Sequence, residues 1–109
     1  RRLRDEYTDL PIIITENGAS FPDELTADGQ VHDTDRKNYF KDHLQAVAAL
    51  NEEGMNIVAY YAWSLLDNFE WAFGYEKRFG IIYVDFETQE RIWKDSAKFY
   101  RDVIASRKV

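Results

Sequence analysis

Two carboxylates and several indole rings in this sequence could work together. Glu16 and Asn17 follow the apolar run Pro11-Ile12-Ile13-Ile14-Thr15. Glu70 lies between Trp63 and Trp71, with Phe73 and Tyr75 close behind. Charged oxygens are strong hydrogen-bond partners for sugar hydroxyls, and flat aromatic faces pack against the C–H face of a pyranose. A pair of carboxylates can also run glycoside hydrolysis, one as nucleophile and one as acid. The same residue types have ordinary uses: a strand-end or loop charge in solvent for Glu16 and Glu70, and core packing for the aromatics. The residue types alone leave both uses open.

Such groups need rigid mounts. The mostly apolar run at residues 11–15, β-branched at Ile12, Ile13, Ile14 and Thr15 and bounded by Pro11 and Gly18, predicts a strand buried on both faces. Glu16 then falls just past its C-terminal end, where active residues cluster in α/β folds. Residues 57–63 read as a second buried strand, whose tip feeds the mixed aromatic and acidic segment 64–71. Leu3, Tyr7 and Leu10 lie at helical spacing and read as the last turns of a helix that Pro11 ends. A polar loop spans roughly 17–34. A helix over 35–53 comes next, with Asp33, Thr34 and Asp35 as candidate N-caps and Gly54 as its stop. Its apolar stripe is Phe40, Leu44, Val47 and Ala48. Residues 79–93 read as an irregular hairpin. A last helix, about 94–107, buries Ala97, Tyr100, Val103 and Ile104.

Strands alternating with helices imply parallel pairing through right-handed crossovers. Two parallel strands leave hydrogen-bonding edges open on both sides and bury too little surface to stand alone. The expectation is an α/β chain that forms one piece of a larger sheet or barrel. Parallel neighbours bring their C-terminal tips to one face, so Glu16, Asn17, Trp63, Glu70 and Trp71 should converge.

The 109 residues carry a net charge of −6, which argues against nucleic acid and anionic membrane surfaces as partners. There is no cysteine, hence no disulfide framework and no thiolate metal site. His32 and His43 have no ligand-like neighbours, so no metal and no other cofactor is expected. The longest apolar run, near 57–66, is too short to span a bilayer. No signal peptide is visible. Arg1-Arg2-Leu3-Arg4 does not look like a native start, so export stays open, with the cytoplasm as the working expectation.

Ile14-Thr15-Glu16-Asn17-Gly18 resembles the nucleophile motif of glycoside hydrolase family 1, the β-glucosidase family. Trp63 to Trp71 (Trp-Ser-Leu-Leu-Asp-Asn-Phe-Glu-Trp) resembles the family's second signature. Residues 77–86 and Lys94-Asp95-Ser96 resemble the family's segments downstream of that signature. The resemblance covers essentially residues 1–109, in order and spacing. It implies the last quarter of a (β/α)8 TIM barrel: strand 7, helix 7, strand 8 and helix 8, completed by another chain or a missing N-terminal segment. It implies a retaining β-glucosidase in which Glu16 is the nucleophile. Glu70 would hold sugar hydroxyls, Trp71 would donate its indole N–H, and Trp63 would floor the ring. Asn17 would join the substrate site, and Phe73 and Tyr75 would line the route to the aglycone. The family's acid lies in an Asn-Glu-Pro motif that this chain lacks. Asn51-Glu52-Glu53 is read instead as a solvated helix end, so the isolated chain should not hydrolyse glycosides. Two alternatives stand beside this reading: a non-catalytic sugar-binding or complementing piece, and a 6-phospho-β-glycosidase. Glu70 would repel a phosphate, which favours an unphosphorylated β-glucoside.

Overall fold

A computed structural model describes residues 1–109. In chain order the elements are α1 (Arg2–Glu6), β1 (Ile12–Asn17), α2 (Thr34–Glu52), β2 (Ile57–Ala62), a single 3-10 turn (Trp71–Phe73), β3 (Ile82–Val84), β4 (Arg91–Trp93) and α3 (Asp95–Ser106). β1 and β2 pair in parallel, and β3 and β4 pair antiparallel. The segment after β2 joins β3 through a parallel bridge between Leu66 and Ile82.

The parallel pair is covered on one face only. Phe40 from α2, Ile81 and Ala97 from α3 form the centre of the core, with Tyr60, Ala62, Tyr39 and Tyr100 packed on it. The other face leaves Ile13, Val58, Tyr61 and Leu65 exposed. The expectation that β1 is buried on both faces is therefore corrected: no element of this chain covers the second face. Only 14 of 109 residues are buried, and the molecule is a slab 18 Å thin with a radius of gyration of 15.8 Å. A compact domain of this length has a radius near 13 Å.

Other expectations are refined. α1 is five residues long, and Leu3, Tyr7 and Leu10 all lie in solvent rather than on a buried stripe. In α2, Phe40 and Leu44 are buried, Val47 is half-buried and Ala48 is exposed. In α3, Ala97 is buried, but Ile104 is 62% exposed, because nothing packs on that flank of the helix. β1 runs on through Glu16 and Asn17 rather than ending before them. No helix is long and apolar enough to cross a membrane.

Candidate active site

The register of β1 against β2 aims the first carboxylate. Ile14 pairs with Tyr60, and Asn17 pairs with Ala62. β1 thus takes three residue steps where β2 takes two, a bulge that offsets the opposite irregularity between Ile12 and Ile13. Strict alternation would set Glu16 on the same face as Ile12 and Ile14, against the helices. With the extra residue, Thr15 and Glu16 are both exposed, and Asn17 turns back towards the core. Bulges re-aim side chains in this way beside active sites.

Glu16, Asn17, Gly18 and Trp63 line one cleft of about 260 Å³ at the tips of the two strands. The strands are tied together there. The Trp63 N–H donates to the Asn17 carbonyl at 2.7 Å, and the Tyr39 hydroxyl donates to the Gly18 carbonyl at 3.3 Å. Gly18 is the residue that lets this happen: a Cβ on it would lie 1.8 Å from the Trp63 carbonyl oxygen. The Trp63–Ser64 peptide is cis.

Glu70, Trp71, Phe73 and Tyr75 sit on the excursion between β2 and β3, outside that cleft. The Glu70 N–H donates to the Gly74 carbonyl at 2.7 Å, which closes the loop around the 3-10 turn. Trp71 is 86% exposed and has a positive φ of 47°. Phe73 is exposed, with the Lys77 ammonium 5.9 Å from its ring centre. The Tyr75 ring packs between Phe69 and Phe86, at centroid distances of 5.6 and 4.5 Å. The chain therefore brings together Glu16, Asn17 and Trp63, while Glu70 and Trp71, expected to converge with them, lie with Phe73 on a separate projecting loop and not in that cleft.

A lattice of three cations and three anions, buried except for the partly exposed Arg78, was missed by sequence reading. Arg36 donates to both oxygens of Asp23 at 2.7 and 2.9 Å, to Asp33 at 2.7 Å and to the Arg78 carbonyl at 2.9 Å. Lys94 donates to Asp23 at 2.6 Å, to Asp67 at 2.8 Å and to the Gly80 carbonyl at 2.6 Å. Arg78 donates to Asp67 at 2.6 Å. Burial works against the charge on Arg36, but its bonds to Asp23 and Asp33 hold its pKa above the ordinary value. Asp33 sits at the start of α2 but does not cap that helix. Its carboxylate accepts from the Ser96 backbone N–H at 2.8 Å and so caps α3. The available signal was Asp33 and Arg36 at i, i+3; partners distant in the chain leave no trace in local sequence.

His32 is not a lone residue. It bridges Asp95 at 2.7 Å and Asp28 at 3.3 Å, and these bonds raise its pKa. His43 Nδ1 donates to the Tyr39 carbonyl at 2.8 Å and its ring stacks on Tyr39. Asn51-Glu52-Glu53 is the exposed C-terminal end of α2, as expected, and the Asn51 amide also exchanges two hydrogen bonds with the Ile57 backbone, at 2.9 and 2.7 Å, where β2 starts. No group of three His, Asp or Glu side chains is arranged to hold a metal ion.

Known proteins share this sequence and this arrangement. The model of a family described as glycosyl hydrolase family 1 matches residues 1–109. A bifunctional beta-D-glucosidase/beta-D-fucosidase from Bifidobacterium breve is 55% identical over 108 residues, which is 95% of this chain and 24% of that protein. Beta-glucosidase A from Thermotoga maritima is 49% identical, over 95% of this chain and 23% of its own length. Among solved structures, the GH1 beta-glucosidase from Exiguobacterium antarcticum B7 superposes with a TM-score of 0.94 at 71% identity, covering 97% of this chain and 24% of that one. The chain spans about a quarter of the length of the relatives it matches.

Proposed function

The chain belongs to glycosyl hydrolase family 1, and on that premise we propose that it supplies the nucleophile and part of the sugar site of a retaining β-glucosidase. Residues 1–109 are then one part of a single barrel domain. β1 and β2 are its seventh and eighth strands, and α2 and α3 are the matching helices. The open edges of the β1–β2 pair and its uncovered apolar face suit a piece completed by the N-terminal part of such a barrel. The names of the relatives, glucosidases and a glucosidase/fucosidase, support a β-glycosidase.

In this reading a Glu16 oxygen attacks the anomeric carbon. The bond from that carbon to the leaving oxygen breaks, and an acid on another segment protonates the leaving group. Water, activated by that same acid residue now acting as base, then cleaves the glycosyl ester on Glu16. Trp63 floors the sugar ring, Asn17 joins the polar wall, and Glu70 accepts from sugar hydroxyls with Trp71 as an N–H donor. Phe73 and Tyr75 stand towards the aglycone. The anionic Glu70 favours an unphosphorylated sugar.

The observation that carries the proposal is the bulge, which turns Glu16 out of the helix-facing layer into the cleft beside Trp63. The test is Glu16→Gln in the assembled barrel protein. Hydrolysis of an aryl β-glucoside is expected to fall by at least about 10⁴-fold. Turnover within about tenfold of the parent would remove Glu16 from the nucleophile role.

A further inference from the structure

Behind the cleft, three tyrosines from three elements reach the strand tips. Tyr39 from α2 bonds the Gly18 carbonyl. Tyr100 from α3 donates to the Tyr60 carbonyl at 3.1 Å. Tyr60, in β2, donates its own hydroxyl to Asn17 Oδ1 at 2.5 Å. The bulge makes this last bond possible, because it turns Asn17 rather than Glu16 towards the layer where Tyr60 packs.

We infer that Tyr60 is a positioning residue for the reaction, acting through Asn17: its hydroxyl claims the amide oxygen and thereby orients the amide NH2 towards the cleft beside Glu16. An asparagine amide has one acceptor end and one donor end. With Oδ1 taken by Tyr60, the end left to the cleft is Nδ2, which donates only. A donor beside an attacking carboxylate can bind a sugar hydroxyl or the carboxylate itself. Flipped, the amide would present a second lone-pair oxygen next to an anion, which is repulsive. Tyr60 suits the task. It is half-buried, and burial, with Tyr39 and Tyr100 close by, pushes its pKa well above the usual tyrosine range. It therefore keeps its proton and remains a donor across the working pH range. The same contact ties down the backbone next to Glu16, since Asn17 is held at its carbonyl by Trp63 and at its side chain by Tyr60. This inference rests on the reading of Glu16 as the reacting carboxylate.

The experiment is a double-mutant cycle in the assembled barrel protein, with an aryl β-glucoside as substrate and Glu16→Gln as control. Tyr60→Phe removes one oxygen and keeps the ring. It is expected to lower kcat by about tenfold, with KM changed less than about twofold and the melting temperature nearly unmoved. Asn17→Ala is expected to lower kcat by at least as much. The double variant should be no slower than Asn17→Ala alone, because Tyr60 then has nothing to orient. An unchanged kcat in Tyr60→Phe, or rate losses that multiply in the double variant, would overturn the inference and leave Tyr60 a packing residue. If Tyr60→Phe does not accumulate, Tyr60→Met takes its place in the cycle, and a kcat equal to the parent's, or losses that multiply with Asn17→Ala, overturn the inference. An active Glu16→Gln variant would instead strike the nucleophile reading on which the inference stands.

Discussion

The α-carbon of Gly18 packs directly on the backbone of Trp63, so close that a Cβ would stand 1.8 Å from the Trp63 carbonyl oxygen and 2.8 Å from its carbon. Both obstacles are backbone atoms, which cannot swing aside as a side-chain end can. Gly18→Ala must therefore push the β1 tip away from Trp63 and carry Glu16 with it. If Glu16 is the reacting carboxylate proposed above, a misplacement near 1 Å can cost about 100-fold in rate. In the assembled protein, kcat/KM for an aryl β-glucoside should fall by about that factor, and the melting temperature should drop as well. Parent-like kinetics would show that the cleft does not need this contact.

A second prediction concerns Lys94, whose ammonium has no exposure and holds Asp23, Asp67 and the Gly80 carbonyl together. Lys94→Met keeps most of the length of the side chain and deletes the charge. Asp23 and Asp67, both without side-chain exposure, then retain one cation each, Arg36 and the partly exposed Arg78. Breaking a buried pair from one side typically costs about 3–5 kcal/mol. Urea unfolding of the assembled protein should register a loss of that size. Arg91→Met, on the exposed side of β4, is expected to change stability by less than about 0.5 kcal/mol. Equal, small effects from both would refute a stabilising role for the lattice.

The His32 bridge predicts a pH dependence. Asp95, then Asp28, raises the His32 pKa above its ordinary 6.5. The stabilisation it brings is complete below about pH 6.5 and is lost as pH rises through the raised folded value. On the acid side, the Asp95 pKa is lowered, first by His32, and the Asp28 pKa is lowered, first by Thr26. Their contributions vanish only as pH falls through values below 3.8. His32→Gln should therefore lower the melting temperature more at pH 6 than at pH 8.5. Equal shifts at both pH values would mean that the bridge carries no charge-dependent stabilisation.

The longer elements were legible in the sequence because they are written in local periodicity, whereas the stripe Leu3, Tyr7 and Leu10 misled: α1 stops at Glu6 and all three side chains are exposed. The β-branched run 12–15 marks β1, and the Phe40 and Leu44 spacing marks α2. The grouping of Glu16, Asn17 and Trp63 was legible for a topological reason, since parallel neighbours share a C-terminal face. The bulge was not. It depends on how Ile14 and Asn17 count against Tyr60 and Ala62, a property of the pair rather than of either strand. The lattice was hidden for the same reason. Asp23 and Asp33 carry ordinary turn and cap chemistry in the sequence, and only folding shows that Lys94 and Arg36 claim them. The burial expected of Ile104 and of both faces of β1 is not found because it depends on segments outside these 109 residues, and no element within them covers those surfaces.

That uncovered surface yields the last prediction. Ile13, Val58, Tyr61, Trp63 and Leu65, all in β1, β2 and the segment that follows, are each exposed. Contiguous exposed apolar patches larger than a few hundred Å² mark interaction surfaces or aggregation sites. Open edges on both sides of a two-stranded sheet add a second route to association. Made by itself, the 109-residue chain should elute as concentration-dependent oligomers, bind a hydrophobic dye and hydrolyse no aryl β-glucoside. Replacing Ile13 and Tyr61 by Ser removes apolar area from the middle of the patch without touching the helix-facing core. The double variant should shift the population towards monomer. A parent chain that elutes as a dye-free monomer at high concentration would contradict the prediction, for that face would then need no partner.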